Sequence, residues 1–151
     1  MKRPAGSKIT LALAALLAVP AARGALGDVE ASVEADRAAM HAMQQTTRTP
    51  SFTMHELRAP SGTTVREYVS PAGTVFGVAW QGPTLPDLRQ LLGAHFDEYA
   101  AAAAERRTRR SPVLVQLPGL VVQSSGHMRA FLGKAYIPQA LPPGVAAAEI
   151  Q

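Results

Sequence analysis

The sequence predicts an α+β domain with elements in the order α-βββ-α-βββ: an antiparallel sheet with one long amphipathic helix packed on a face, preceded by a cleaved N-terminal signal helix. Three observations predict it. Two x-Pro-x-Gly segments, Ala59-Pro60-Ser61-Gly62 and Ser70-Pro71-Ala72-Gly73, separate three short runs rich in β-branched and aromatic residues. Leu85, Leu88, Leu91, Leu92, Phe96 and Tyr99 recur at helical spacing. Further runs flank Pro118-Gly119, a two-residue turn signal.

The signal comes first. Lys2, Arg3 and Lys8 are basic, Ile9 to Val19 is apolar apart from Thr10, Pro20 breaks the run, and Ala22-Arg23-Gly24 supplies small residues at a cut. The apolar run is too short to span a bilayer, which takes about 20 residues. No Cys lies at the cut for lipid attachment. Cleavage after Gly24 gives three parts: a signal peptide (1–24), one α+β domain (25–145) and an irregular tail (146–151).

Cleavage changes the charge. The signal carries four of the fifteen basic residues and none of the eleven acidic ones, so the mature chain has a net charge of zero. A basic field that gathers nucleic acid is then missing, and no nucleic-acid partner is expected. The chain has no cysteine, so no disulfide supports an exported domain and packing alone must hold it. An exported chain without cysteine fits a bacterial periplasm.

The mature elements follow in order. Asp28 to about Thr46 reads as a helix of Ala, Glu, Gln and Met with a thin Val33, Met40, Met43 stripe. Phe52–Arg58, Thr63–Ser70 and Thr74–Gln81 read as strands joined by type I turns. In the third, Phe76, Val78 and Trp80 share one face and Val75, Gly77 and Ala79 the other, the mark of a central strand covered on both sides. Thr84 is expected to cap the long helix, with Asp87 as the capping-box acid and Pro86 in the first turn. Gly93 weakens that helix by ~1 kcal/mol relative to Ala. It runs to about Arg110, before Pro112. Val113–Leu117 and Leu120–Ser124 form a hairpin through a type II turn. Ser125-Gly126 turns into His127–Leu132, which continues towards Ile137, and the Pro-rich tail follows.

Little of this points to chemistry. No two of His41, His55, His95 and His127 lie at metal-binding spacing. His95 and Glu98 face one way on the helix, but two ligands do not make a site, so no metal or other cofactor is expected. Ser124-Ser125-Gly126-His127 lacks the nucleophile-elbow pattern and reads as a turn. Among the acids, Asp87 reads as a cap, and a cross-strand ion pair accounts for Glu67. Arg106, Arg107, Arg109 and Arg110 complement a helix C-terminus, with an anionic membrane surface as the functional alternative. Trp80 reads as a core anchor first. With His127, Arg129 and Tyr136 it is also the candidate interaction surface.

Several blocks carry a resemblance. They are Ala25-Leu26-Gly27, Val33-Glu34-Ala35-Asp36-Arg37, Arg66–Gly93 (REYVSPAGTVFGVAWQGPTLPDLRQLLG) and Val121–Gly133 (VVQSSGHMRAFLG). Ala135-Tyr136-Ile137-Pro138 and Leu141-Pro142-Pro143-Gly144-Val145 complete them. Together they resemble an exported bacterial family known as domain of unknown function 2844, over almost the whole mature chain. The resemblance implies a short signal-bearing protein of Gram-negative bacteria and brings no catalytic or ligand-binding residues. Ala100–Ser111 matches none of its pattern. The expected function is that of a non-enzymatic periplasmic accessory module, binding an envelope protein partner through a sheet edge or the Trp80 region. The alternative is a small-ligand binder or small enzyme with a pocket between the long helix and the sheet.

Overall fold

A computed structural model describes residues 25–105 and 112–151. The expected signal segment Met1–Gly24 and the run Arg106–Arg110 lie outside the described residues. Seven strands form one antiparallel sheet: β1 (Met43–Arg48), β2 (Thr53–Arg58), β3 (Thr64–Val69), β4 (Val75–Gly82), β5 (Val113–Leu117), β6 (Leu120–His127) and β7 (Ala130–Tyr136). Their order across the sheet is β1-β2-β3-β4-β7-β6-β5. Two meanders therefore meet along β4 and β7, where Trp80 stands opposite Gly133.

The first helix is shorter than its composition suggests. α1 spans Ser32–Ala39, His41 turns the chain at φ 50°, and Met43–Arg48 pairs with β2 as an added strand. The expected helix to Thr46 is thus corrected. Gln44-Gln45-Thr46-Thr47 has no apolar side chain to seat a helix, and pairing along β2 supplies hydrogen bonds that outweigh a weak helical propensity.

The Pro-Gly turns behave as the pattern demands. Gly62 N donates to Ala59 O and Gly73 N to Ser70 O, and both glycines take a left-handed φ, 88° and 81°. Each is a type I turn closed by a left-handed glycine. At Pro118-Gly119, by contrast, Gly119 does not take the positive φ of a type II turn. The Ser125-Gly126 turn is also corrected: both residues lie inside β6, and the chain reverses at Met128-Arg129, with Arg129 at φ 66°. Gly126 stands in the strand because the Phe131 ring lies over it. A Cβ there would come within 2.5 Å of that ring.

Gly93 interrupts the long helix rather than merely weakening it. α2 (Leu88–Leu92), a 3-10 turn (Gly93–His95) and α3 (Phe96–Ala104) follow one another, with Gly93 at φ 51°. The cap is Asp87 itself, whose Oδ1 accepts from Arg89 N at 2.9 Å and Gln90 N at 3.2 Å. Thr84 bonds to Thr63 instead.

The sheet is covered on both sides. Val65, Val69, Val75, Val78, Trp80, Val115, Val122 and Ala135 pack with Val33 of α1 and Leu91 and Leu92 of α2. On the opposite face Tyr68, Phe76 and Ala79 pack with Val145 and Ile150. A bulge sets the faces of β4. Tyr68 pairs with Gly77 and Val69 with Val75, so Phe76 is the extra residue. It joins Ala79 on the second face, not Val78 and Trp80 as strict alternation predicts.

The last residues carry structural weight. Ile150 is fully buried against Gly77, where a Cβ would lie 2.7 Å from its Cδ1. An Ile150→Ala variant is expected to lose about 2–4 kcal/mol of stability from the cavity it leaves. Urea unfolding checks this, and a loss within 0.5 kcal/mol, about the range of a surface change, counts against a core role.

Candidate functional site

Two features of the structure are not explained by packing. The first is a pair of buried acids. Strand alternation puts Val65, Glu67 and Val69 on the helix-covered face of β3, and helical spacing puts Asp36 one turn after Val33 on the buried side of α1. Both acids are buried. Asp36 Oδ1 accepts from Gln90 Nε2 of α2 at 2.6 Å. Asp36 Oδ2 and both Glu67 oxygens meet no donor from any other described group. The two carboxyls lie against each other. Two carboxylates repel, so the hydrogen bond open to them is a proton held between them, donated by Glu67 and accepted by Asp36. Burial pushes Glu67 up to about 9, with the Asp36 charge adding to the effect. Burial likewise pushes Asp36 up to about 6, opposed by the bond from Gln90.

The ion pair expected for Glu67 belongs to Glu56. On the opposite face, Glu56 is held by Arg66 Nε at 2.8 Å across the strand pair and by Arg58. The bond from Arg66, followed by that from Arg58, holds Glu56 below the ordinary carboxylate range despite the cost of burial. His55 stands opposite Glu67 and is engaged at both nitrogens. Its Nε2 lies 2.8 Å from Glu30 Oε1, and its Nδ1 lies 2.9 Å from the Gln44 amide and 3.0 Å from the Thr46 hydroxyl. An amide N–H donates, so this pattern fits the Nε2–H imidazole.

A groove of about 870 Å³ opens between α1 and α2, with Asp36 and Gln90 in its wall and Asp28, Asp87, Arg89 and His95 around it. The expected pocket between the long helix and the sheet is thus replaced by a groove between two helices. Arg89 is engaged by Asp97 at 3.2 Å and lies over the Phe96 ring. Among the described residues, no three His, Asp or Glu side chains gather to hold a metal.

The second feature is the edge at β1. All six of its residues are exposed. Thr49 N donates to Phe52 O at 2.9 Å, closing the β1–β2 hairpin on a hydrogen-bonded pair. Antiparallel alternation then bonds Met43, Gln45 and Thr47 to β2 and turns the backbone groups of Gln44, Thr46 and Arg48 outward. The other edge, β5, lies between Pro112 and Pro118 and packs against α3.

The residues singled out from sequence do not converge. Trp80 is 1% exposed, in the core over Gly133, and offers no surface. Tyr136 packs on the opposite face with the Phe76 cluster. His127 and Arg129 are exposed at the β6–β7 hairpin, away from both and from Glu67. The sequence pattern does not single out Asp36, although it falls on the Val33 stripe, and it assigns Glu67 an ion pair, although Glu67 sits mid-way along an apolar alternation. An acid on an apolar stripe is the signal in both cases.

No curated protein and no solved structure matches the chain. The family described as protein of unknown function (DUF2844) matches residues 22–150, so the chain belongs to that family.

Proposed function

We propose that the protein is exported through the Met1–Gly24 signal to the bacterial periplasm. It serves there as a non-enzymatic accessory module of the cell envelope, binding a protein partner through the edge of β1. The open edge supports this reading: six exposed residues, no proline or lysine within the strand, and three residues whose backbone groups point outward. Such an edge accepts an added strand, with main-chain bonds supplying affinity. Export is tested by fractionation of a C-terminally tagged chain. The expected product is a periplasmic species with the mass of residues 25–151, and an uncleaved cytoplasmic chain defeats it.

The edge is tested with Thr46→Pro. Proline removes one outward N–H and leaves the bonds to β2 intact. The variant is expected to stay folded, losing about 1 kcal/mol with the hydroxyl bond to His55. It should also lose crosslinked capture of the envelope protein that the wild type retains. Capture of the same protein by Thr46→Pro defeats the edge reading, and no specific capture by the wild type defeats the accessory role.

A second reading, a small-ligand binder or small enzyme, draws on the α1–α2 groove and the acids behind it. Saturable binding of a small molecule that is lost in Gln90→Ala and kept in Thr46→Pro favours it over the first.

A further inference from the structure

We infer that Asp36 and Glu67 form a proton-operated latch: one shared proton holds α1 on the sheet, and its loss releases α1 and opens the groove that α1 walls. The argument begins with position. The pair joins the middle of α1 to the middle of β3, and Gln90 extends it to α2, so three elements meet at one hydrogen-bonded unit. Among the described residues, no cation reaches it to replace the proton. On α1, Arg37 is bound to Glu34 at 2.5 Å. On β2, His55 is held by Glu30, Gln44 and Thr46. On β3, Arg66 is on the other face with Glu56. The neighbour from the helix side, Asp87, is a further acid acting on Asp36. On β4, Val78 and Trp80 flank the pair with apolar surface.

A second negative charge here has no compensation, and water reaches it only when the helix lifts. α1 itself is lightly attached between two tied ends. It spans eight residues, and its buried side chains are Val33 and Asp36, while Gly27 and Glu30 before it bond to Val75 and Gly73, and Ala42 after it lies in the core. The neutral alternative, two apolar residues at these positions, would hold the helix without any response to protons. Glu67 in contact with Asp36 makes the attachment of α1 depend on one proton.

Amide hydrogen exchange of the full chain tests this. Lifting α1 while releasing one proton makes its opening about tenfold more frequent per pH unit, as linkage requires. After correction for intrinsic rates, protection of the Ser32–Ala39 amides relative to β4 should fall at least tenfold from about pH 6 to pH 8. In Glu67→Gln, which keeps a donor for Asp36 but has no proton to lose, the ratio should stay within about twofold. Asp36→Asn serves as the second variant: it removes the neighbouring charge but leaves Glu67 buried with its proton, so its ratio should still fall between the same pH values. A wild-type fall under tenfold overturns the latch, as does a fall of wild-type size in Glu67→Gln or a flat ratio in Asp36→Asn.

Discussion

A Gly133→Ala variant is expected to lose about 3 kcal/mol of stability, at the upper end for overpacking a core by one methyl group. The added Cβ would lie 2.3 Å from Trp80 Cζ2 and 2.7 Å from the carbonyl oxygen of Gln123. Real carbon contacts do not come so close, and neither neighbour can yield easily. The Trp80 ring is fully enclosed between the sheet and the helices, and the Gln123 carbonyl belongs to β6. The strain falls at the junction of the two meanders, so both halves of the sheet are affected. Urea unfolding followed by circular dichroism, a signal that survives removal of the single tryptophan, reads the loss. Trp80→Leu alone is expected to cost about 3 kcal/mol. Combined with Gly133→Ala it should cost less than the sum by at least about 1 kcal/mol, because removing the ring makes room for the methyl group. The Gln123 contact remains, so the rescue is partial. Additive losses would show that ring and glycine are not in the predicted contact.

Glu67→Gln is expected to stabilise the protein by on the order of 2–3 kcal/mol at neutral pH. The unfolded chain releases the Glu67 proton near 4.5, and the native state keeps it to about 9. Between these values the native state binds the extra proton, so wild-type stability falls as pH rises across that window and levels off above it. Asp36, raised from 3.8 to about 6, adds a loss between those two values. Glutamine donates to Asp36 without binding a proton, which removes the larger part of the slope. Thermal unfolding of both proteins from about pH 5 to pH 9 should give curves that converge at the acid end and separate towards alkali. Parallel curves, or a variant less stable than the wild type at pH 8, contradict the protonated Glu67.

Local sequence codes explain what was readable. The two Pro-x-Gly turns are legible because each is four residues long and its chemistry acts within those four. The β4 strand is legible because apolar residues on both alternations require cover on both sides, and residues 75–80 are all buried. The stripe of the long helix places Leu91 and Leu92 in the core, while Leu85 at its start is 46% exposed, outside the helix that Asp87 caps. Where the reading failed, the deciding partner was distant in sequence. Gln44–Thr47 became a strand because β2 returned beside it. Ser125-Gly126 stayed extended because Phe131 filled the space over the glycine. Phe76 changed face because a bulge opposite Val69 shifted the register.

The same division separates the candidate sites. Composition and spacing alone establish an α+β chain with hairpin turns, an amphipathic helix and no thiol chemistry. Those properties depend on residue identity and on neighbours a few positions away. The meeting of Asp36 with Glu67 depends on how α1 lies on the sheet, and the exposure of β1 depends on which strand ends the order. Neither is encoded within any short window. A carboxyl group reads the same in a sequence whether water or another acid lies beside it. Only the packing of an eight-residue helix against β3 turns two ordinary acids into a pair that must share a proton.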